Sequence, residues 1–147
     1  MKIRILWPGK TKKDYYRSAI ADYAERIRKF VSFEIIEVRE RTYTDHQRAT
    51  RVRAESKELT RKKQSNTTVL LDPQGKMMSS SEFSLWLQKA SGGVDFILGG
   101  PAGAEPEDVS MRLSFGRMTL PHELARVVLV EQIYRALTIQ HNHPYHK

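Results

Sequence analysis

Histidine, tyrosine and lysine crowd the end of this chain. Three of its five histidines fall in the terminal run His141-Asn142-His143-Pro144-Tyr145-His146-Lys147. Imidazoles titrate near neutral pH and suit proton work, a phenol ring can stack on a nucleobase, and the run ends on a cation. No carboxylate or cysteine accompanies the histidines, so no metal site is expected. A frayed terminus is the plain alternative. Two earlier segments have the composition of ligand-binding loops. Gly99-Gly100-Pro101-Ala102-Gly103 would let a ligand approach the main chain, or would simply be a tight turn. It matches neither the Gly-x-Gly-x-x-Gly fingerprint nor a P-loop. Phe115-Gly116-Arg117-Met118-Thr119-Leu120 mixes apolar residues with Arg117 and Thr119. That mixture suits a loop lining a cofactor pocket, or a buried crossover into the next helix.

The elements that must position these segments alternate along the chain. Lys2 to Trp7 alternates as a strand, and Lys12 to Phe30 has apolar residues at helical spacing. Phe33 to Val38 is strand-like and rich in β-branched residues. Asp45 to Lys63 reads as a long polar helix that Asp45 could cap. Thr67 to Leu71 reads as a strand closed by the turn Asp72-Pro73-Gln74-Gly75. Ser79 and Glu82 have capping-box spacing for a helix that Gly92-Gly93 ends. Val94 to Leu98 reads as a strand, Glu105 to Arg112 as a short helix, and Leu113 to Phe115 as a last short strand. Pro121 to Gln140 is apolar almost all round, so that helix is central to the core, shared with a second subunit, or both. Glu131 and Arg135 are spaced to pair along it.

Strands alternating with helices predict an α/β fold with a mostly parallel sheet flanked by helices, in one domain spanning 1–147. Ligands of such sheets bind beyond the carboxyl ends of the strands. Here those ends are Leu71-Asp72, Leu98-Gly99-Gly100 and the 115–120 loop.

The chain has 147 residues, 39% of them hydrophobic, which is enough for a sizeable core. It has no cysteine, which excludes disulfides and thiolate ligands. The N-terminus lacks the pattern of a signal peptide and no run approaches a membrane span, so the expected location is cytoplasmic. A net charge of +8 favours a polyanionic partner. Arg48, Arg51, Arg53, Lys57, Arg61, Lys62 and Lys63 could contact RNA phosphates from the polar helix, or form a solvated face.

The run Leu113-Ser114-Phe115-Gly116-Arg117-Met118-Thr119-Leu120-Pro121-His122-Glu123-Leu124-Ala125-Arg126-Val127, with Glu131-Gln132-Ile133-Tyr134-Arg135-Ala136 and the Tyr145-His146-Lys147 end, resembles the RlmH family of small SPOUT-class methyltransferases. Val69-Leu70-Leu71-Asp72, Gly75-Lys76 and Ile97-Leu98-Gly99-Gly100 extend the resemblance, which spans essentially the whole chain. It implies a SPOUT-type fold with a C-terminal trefoil knot and a homodimer with its site at or near the interface. It also implies S-adenosylmethionine as methyl donor and N3 of a pseudouridine in large-subunit (23S) ribosomal RNA as target, on the assembled ribosome. The family's donor contacts carry over to Leu71, Gly99, Phe115, Gly116, Arg117, Met118, Thr119 and Leu120. Gly116 stands where the family usually has serine or another small polar residue.

On this resemblance, the tail of one subunit completes the other's site. Arg135, His143, Tyr145 and His146 are the catalytic candidates. Tyr145 would stack on or position the base, His146 would accept a proton or orient it, and Arg135 would hold the anion or a phosphate. The competing expectations are a non-catalytic ribosome-binding protein and a knotted methyltransferase with another RNA substrate.

Overall fold

The computed structural model describes residues 1–42 and 47–147. Among the described residues there are five strands: β1 (Lys2–Pro8), β2 (Ser32–Val38), β3 (Thr67–Met77), β4 (Val94–Ile97) and β5 (Met111–Ser114). They pair in the order β2-β1-β4-β3-β5, every pair parallel. Four helices cover the sheet: α1 (Asp14–Arg28), α2 (Arg48–Lys62), α3 (Ser80–Lys89) and α4 (His122–Gln140).

The two-residue period of β1 sorts the cores. Ile3, Ile5 and Trp7 join the larger core with Ile27 of α1, Phe83 of α3 and Ile133 of α4. Leu6 turns to the opposite face and packs with Leu59 of α2, Leu70 and Ile97. Arg4 sits in the same alternation and is buried against Asp95 at 3.2 Å. A buried ion pair needs its remaining polar atoms satisfied. Asp95 also accepts the main-chain N–H groups of Gln64 (2.7 Å) and Ser65 (3.1 Å), while Arg4 donates to the carbonyl of Lys62 (3.1 Å). This knot of bonds fixes where α2 ends.

Several boundaries differ from expectation. Helix α2 is described from Arg48 onward, and the Asp45 cap lies outside the described residues. Strand β3 continues past Leu71 through the segment expected to be a turn. Asp72 Oδ1 accepts the Gln74 N–H (2.9 Å), and the pairing with β5 shifts register between Leu71 and Lys76. Turn chemistry here makes an irregularity within a strand rather than its end.

No helix forms over 105–112. Pro106 cannot donate. The N–H groups of Glu105 and Glu107 go instead to the hydroxyls of Ser56 (2.8 Å) and Thr60 (3.2 Å) on α2, and Arg112 belongs to β5. Helix α3 starts as its spacing predicts, with both halves of the Ser79–Glu82 capping box formed.

Helix α4 packs on α1 and α3 and buries Leu129, Val130, Ile133, Tyr134, Ala136 and Leu137. Leu124, Val127 and Val128 stay half-buried, Val127 against the larger core. Among the described residues, no helix is long and apolar enough to cross a membrane.

Candidate functional site

The carboxyl ends of β3, β4 and β5 open into one cleft of about 580 Å³, closed on the far side by the start of α4. Seven of the eight residues predicted to contact a donor line it: Leu71, Gly99, Phe115, Gly116, Met118, Thr119 and Leu120. Arg117 is exposed and does not line it.

Four glycines, Gly99, Gly100, Gly103 and Gly116, stand in its wall. An ideal Cβ on Gly99 would lie 2.5 Å from the carbonyl carbon of Gly103, so the loop closes this tightly only on glycine. The Gly103 N–H donates to the Gly100 carbonyl (3.0 Å) and holds the turn. Gly116 has φ +128°, a conformation that favours glycine. Its N–H donates to Ser114 Oγ (3.0 Å), which ties the mouth of the loop to the end of β5.

Three polar groups at the cleft, Asp72, His122 and Arg48, were not among the residues predicted to contact the donor. Asp72 accepts from the Gln74 N–H and then from Arg112 (2.7 Å), which hold its carboxyl below the usual range. His122 is pushed down by burial and then by the Arg126 cation, so its imidazole is neutral at pH 7. Arg48, expected to face phosphates, borders the cleft and donates to the carbonyl of Ala102 (3.3 Å). The signal for Asp72 and His122 was their adjacency to predicted site residues, which says nothing of their charge.

The start of α4 is locked to the β1–α1 connection. Glu123 accepts the main-chain N–H groups of Lys12 (2.8 Å) and Lys13 (3.1 Å). Buried Arg126 donates to the carbonyl of Pro8 (2.6 Å) and to Thr11 Oγ1 (3.0 Å), with its guanidinium 4.6 Å from the Trp7 ring centre.

The four predicted catalytic residues lie at the other end of α4. Arg135 sits about 15 Å along the axis from Ala125, the last α4 residue at the cleft, at about 1.5 Å rise per residue. Arg135 pairs with Glu131 at 2.6 Å, lies 4.8 Å from the Tyr145 ring centre and contacts His146 Nδ1 at 3.1 Å. The Tyr145 hydroxyl donates to Glu131 (3.0 Å) and meets the Tyr23 hydroxyl (3.3 Å). Burial and then these hydrogen bonds push the Tyr145 pKa well up, so it keeps its proton at neutral pH. His143 is exposed, and its main chain folds the tail back: its N–H donates to Thr138 (2.9 Å) and its carbonyl accepts from Tyr145 (2.8 Å). Arg135, Tyr145 and His146 thus converge on one another and stand apart from their own chain's cleft. Glu131 and Tyr23 are the members that sequence reasoning missed.

The basic face of α2 is partly committed. Arg51 pairs with Glu55 and Glu40, Arg61 with Glu58, and Lys63 donates to the carbonyls of Glu107 and Asp108. Arg53 and Lys57 are exposed.

A parallel sheet with a glycine-lined cleft at its carboxyl ends defines an α/β ligand-binding protein. Comparison with known proteins narrows the class. Residues 1–146 match the family described as "Predicted SPOUT methyltransferase", and the chain belongs to that family. It is also similar to the ribosomal RNA large subunit methyltransferase H of Streptococcus pneumoniae, in strain CGSP14 and in strain ATCC 700669 / Spain 23F-1. Each is 38% identical over 160 aligned positions, with 100% of both chains covered.

Proposed function

We propose that this chain transfers a methyl group from S-adenosylmethionine to N3 of a pseudouridine in 23S ribosomal RNA, acting as a homodimer on the assembled ribosome. The observation that carries this reading is the meeting of Leu71, Gly99 and the 115–120 loop, distant in sequence, around one cleft. The family membership and the whole-chain similarity to a large-subunit methyltransferase support the activity.

The cleft suits the donor. Its volume falls in the range for ligands of this size. Leu71, Leu98 and Phe115 offer apolar surface, and the main chain around Gly99 and Gly116 lies open to a close approach. A sulfonium methyl donor arrives already activated, so the protein's task is chiefly alignment. N3 of the base carries a proton that must leave, and a fixed cation near the resulting anion favours that loss. Arg135 supplies the cation, and the Tyr145 ring, packed edge-on to Tyr134 with centroids 4.7 Å apart, is a rigid platform for a base.

Because Arg135 lies about 15 Å along α4 from Ala125 of its own cleft, the reading assigns the tail cluster to the cleft of a second copy. The half-buried Leu124 and Val128, with exposed Met77 and with Met118 of the 115–120 loop, offer apolar surface for that pairing.

The test is methylation of ribosomes from cells lacking this activity, read at the modified nucleotide by mass mapping. Deleting Tyr145 to Lys147 is expected to abolish methylation and leave donor binding by calorimetry within about threefold, since the cleft contains none of these residues. Survival of methylation in that variant refutes the composite site. Absence of donor binding in the intact protein refutes the methyltransferase reading and favours a non-catalytic ribosome-binding protein.

A further inference from the structure

The tail cluster has a hub that none of the preceding assignments uses. One oxygen of Glu131, Oε1, accepts three donors: Arg135 Nη2 (2.6 Å), Arg135 Nε (3.0 Å) and the Tyr145 hydroxyl (3.0 Å). The other, Oε2, accepts from Gln132 Nε2 (2.9 Å). Glu131 is half-buried, and its bonds to the Arg135 guanidinium are charge-assisted.

The protons can be followed outward from that carboxylate. Tyr145 has a single hydroxyl proton and gives it to Glu131. At the 3.3 Å contact between the two phenols, Tyr23 is therefore the donor and Tyr145 the acceptor. Helix α1 thereby closes the cluster from the side opposite the tail. Arg135 spends Nε and Nη2 on Glu131, which aims Nη1 at Nδ1 of His146 at 3.1 Å. A guanidinium has only N–H donors and no lone pair to offer. Nδ1 of His146 must therefore be the acceptor, and the proton of the neutral ring sits on Nε2. With its acceptor nitrogen occupied, His146 has only a donor left to present.

We infer that Glu131 is the positioning residue of the tail: through Arg135 it sets His146 as a hydrogen-bond donor rather than a proton acceptor. This rests on the reading that the tail meets the target base. In pseudouridine the N3 atom lies between two ring carbonyls, and loss of its proton spreads negative charge onto their oxygens. The Nε2–H of His146 and the cation of Arg135 then stabilise that charge together, and the proton leaves N3 for bulk water. The sequence-level role of His146 as proton acceptor is replaced by that of anion stabiliser.

The test pairs kinetics with histidine NMR on the full-length protein and ribosomes lacking the modification. Ring nitrogen signals, assigned by comparison with His146→Asn, are expected to show the Nε2–H tautomer at neutral pH. Glu131→Ala is expected to lower kcat about ten- to a hundredfold, the range for residues that orient a functional group, and to leave donor affinity within about twofold. Glu131→Gln keeps the shape and an acceptor oxygen but not the charge, and is expected to lower kcat several-fold, so a folding defect in the alanine variant leaves the question decidable. An Nδ1–H tautomer in the intact protein, or normal kcat in both variants, overturns the inference. If the tail deletion abolishes methylation while both Glu131 variants work normally, only this inference falls. If the deletion itself leaves methylation intact, the composite-site reading falls first.

Discussion

At its N-terminal end α4 borders a cleft whose wall closes through a main-chain approach at Gly99, while at its C-terminal end it carries a cluster of side chains gathered on one carboxylate. The two regions fail in opposite ways. A main-chain wall is indifferent to trimming side chains and intolerant of an added Cβ, because its shape is a set of backbone angles and close approaches. A side-chain cluster tolerates small shifts of its backbone and collapses when its shared acceptor goes, because every member is oriented by another. One helix thus separates a binding function from an orienting one. Between them Leu129, Val130 and Ile133 are buried core that keeps the two at fixed spacing.

The strongest attempt to break this contrast is Gly99→Val. Its Cβ alone would meet the Gly103 carbonyl carbon at 2.5 Å, and the branched methyls add to the clash. The turn must open, and donor affinity by calorimetry is expected to fall at least about a hundredfold, with the tail tautomer of His146 unchanged. Donor binding within threefold of normal would mean that side chains, not the loop's closure, make the wall.

A second variant probes the lock that joins the cleft end of α4 to the rest of the molecule. Glu123→Ala strands the N–H groups of Lys12 and Lys13 and is expected to cost about 2 kcal/mol. For a chain of this length that is roughly 4–8 °C in Tm. Burial raises the Glu123 pKa, but the N–H groups of Lys13 and Lys12 outweigh it and the net shift is downward. The folded state therefore binds this proton less readily than the unfolded state. The stabilisation is complete above the ordinary glutamate range and fades as pH drops through the lowered value. Melting curves of wild type and Glu123→Gln should differ at pH 7 and converge only as pH falls below that lowered value. A gap that persists in acid would show that the carboxylate's charge is not what holds the lock.

How much of this was legible depended on how local each cause is. The alternation Ile3-Arg4-Ile5-Leu6-Trp7 predicted a strand, and both of its faces found a core. The cleft followed from the rule that ligands sit beyond parallel strand ends, which needs only the strands and their order of type. Ser79 and Glu82 form their box three residues apart, so spacing sufficed. The 105–112 segment was misread because the groups that capture its N–H donors, Ser56 and Thr60, lie on another helix. For the same reason the hub was invisible. Glu131 and Arg135 read as an ordinary pair one turn apart, and nothing local announces that Tyr23 and Tyr145 meet across a sequence separation of 122.

The smallest expected effect falls on the one donor candidate that does not line the cleft. Arg117 was assigned to the cleft with its neighbours, yet its side chain is exposed and the cleft is lined without it. Truncating it leaves the loop's backbone intact, so Arg117→Ala is expected to hold donor affinity within about twofold. Its cation stands beside the mouth of a site that receives RNA under the reading above. The variant should then weaken ribosome binding a few-fold and lower the salt slope by about one, the signature of a single lost phosphate contact. A tenfold loss of donor affinity would place the guanidinium inside the cleft. The contrast between a main-chain end and a side-chain end of α4 would then have to be redrawn at that loop.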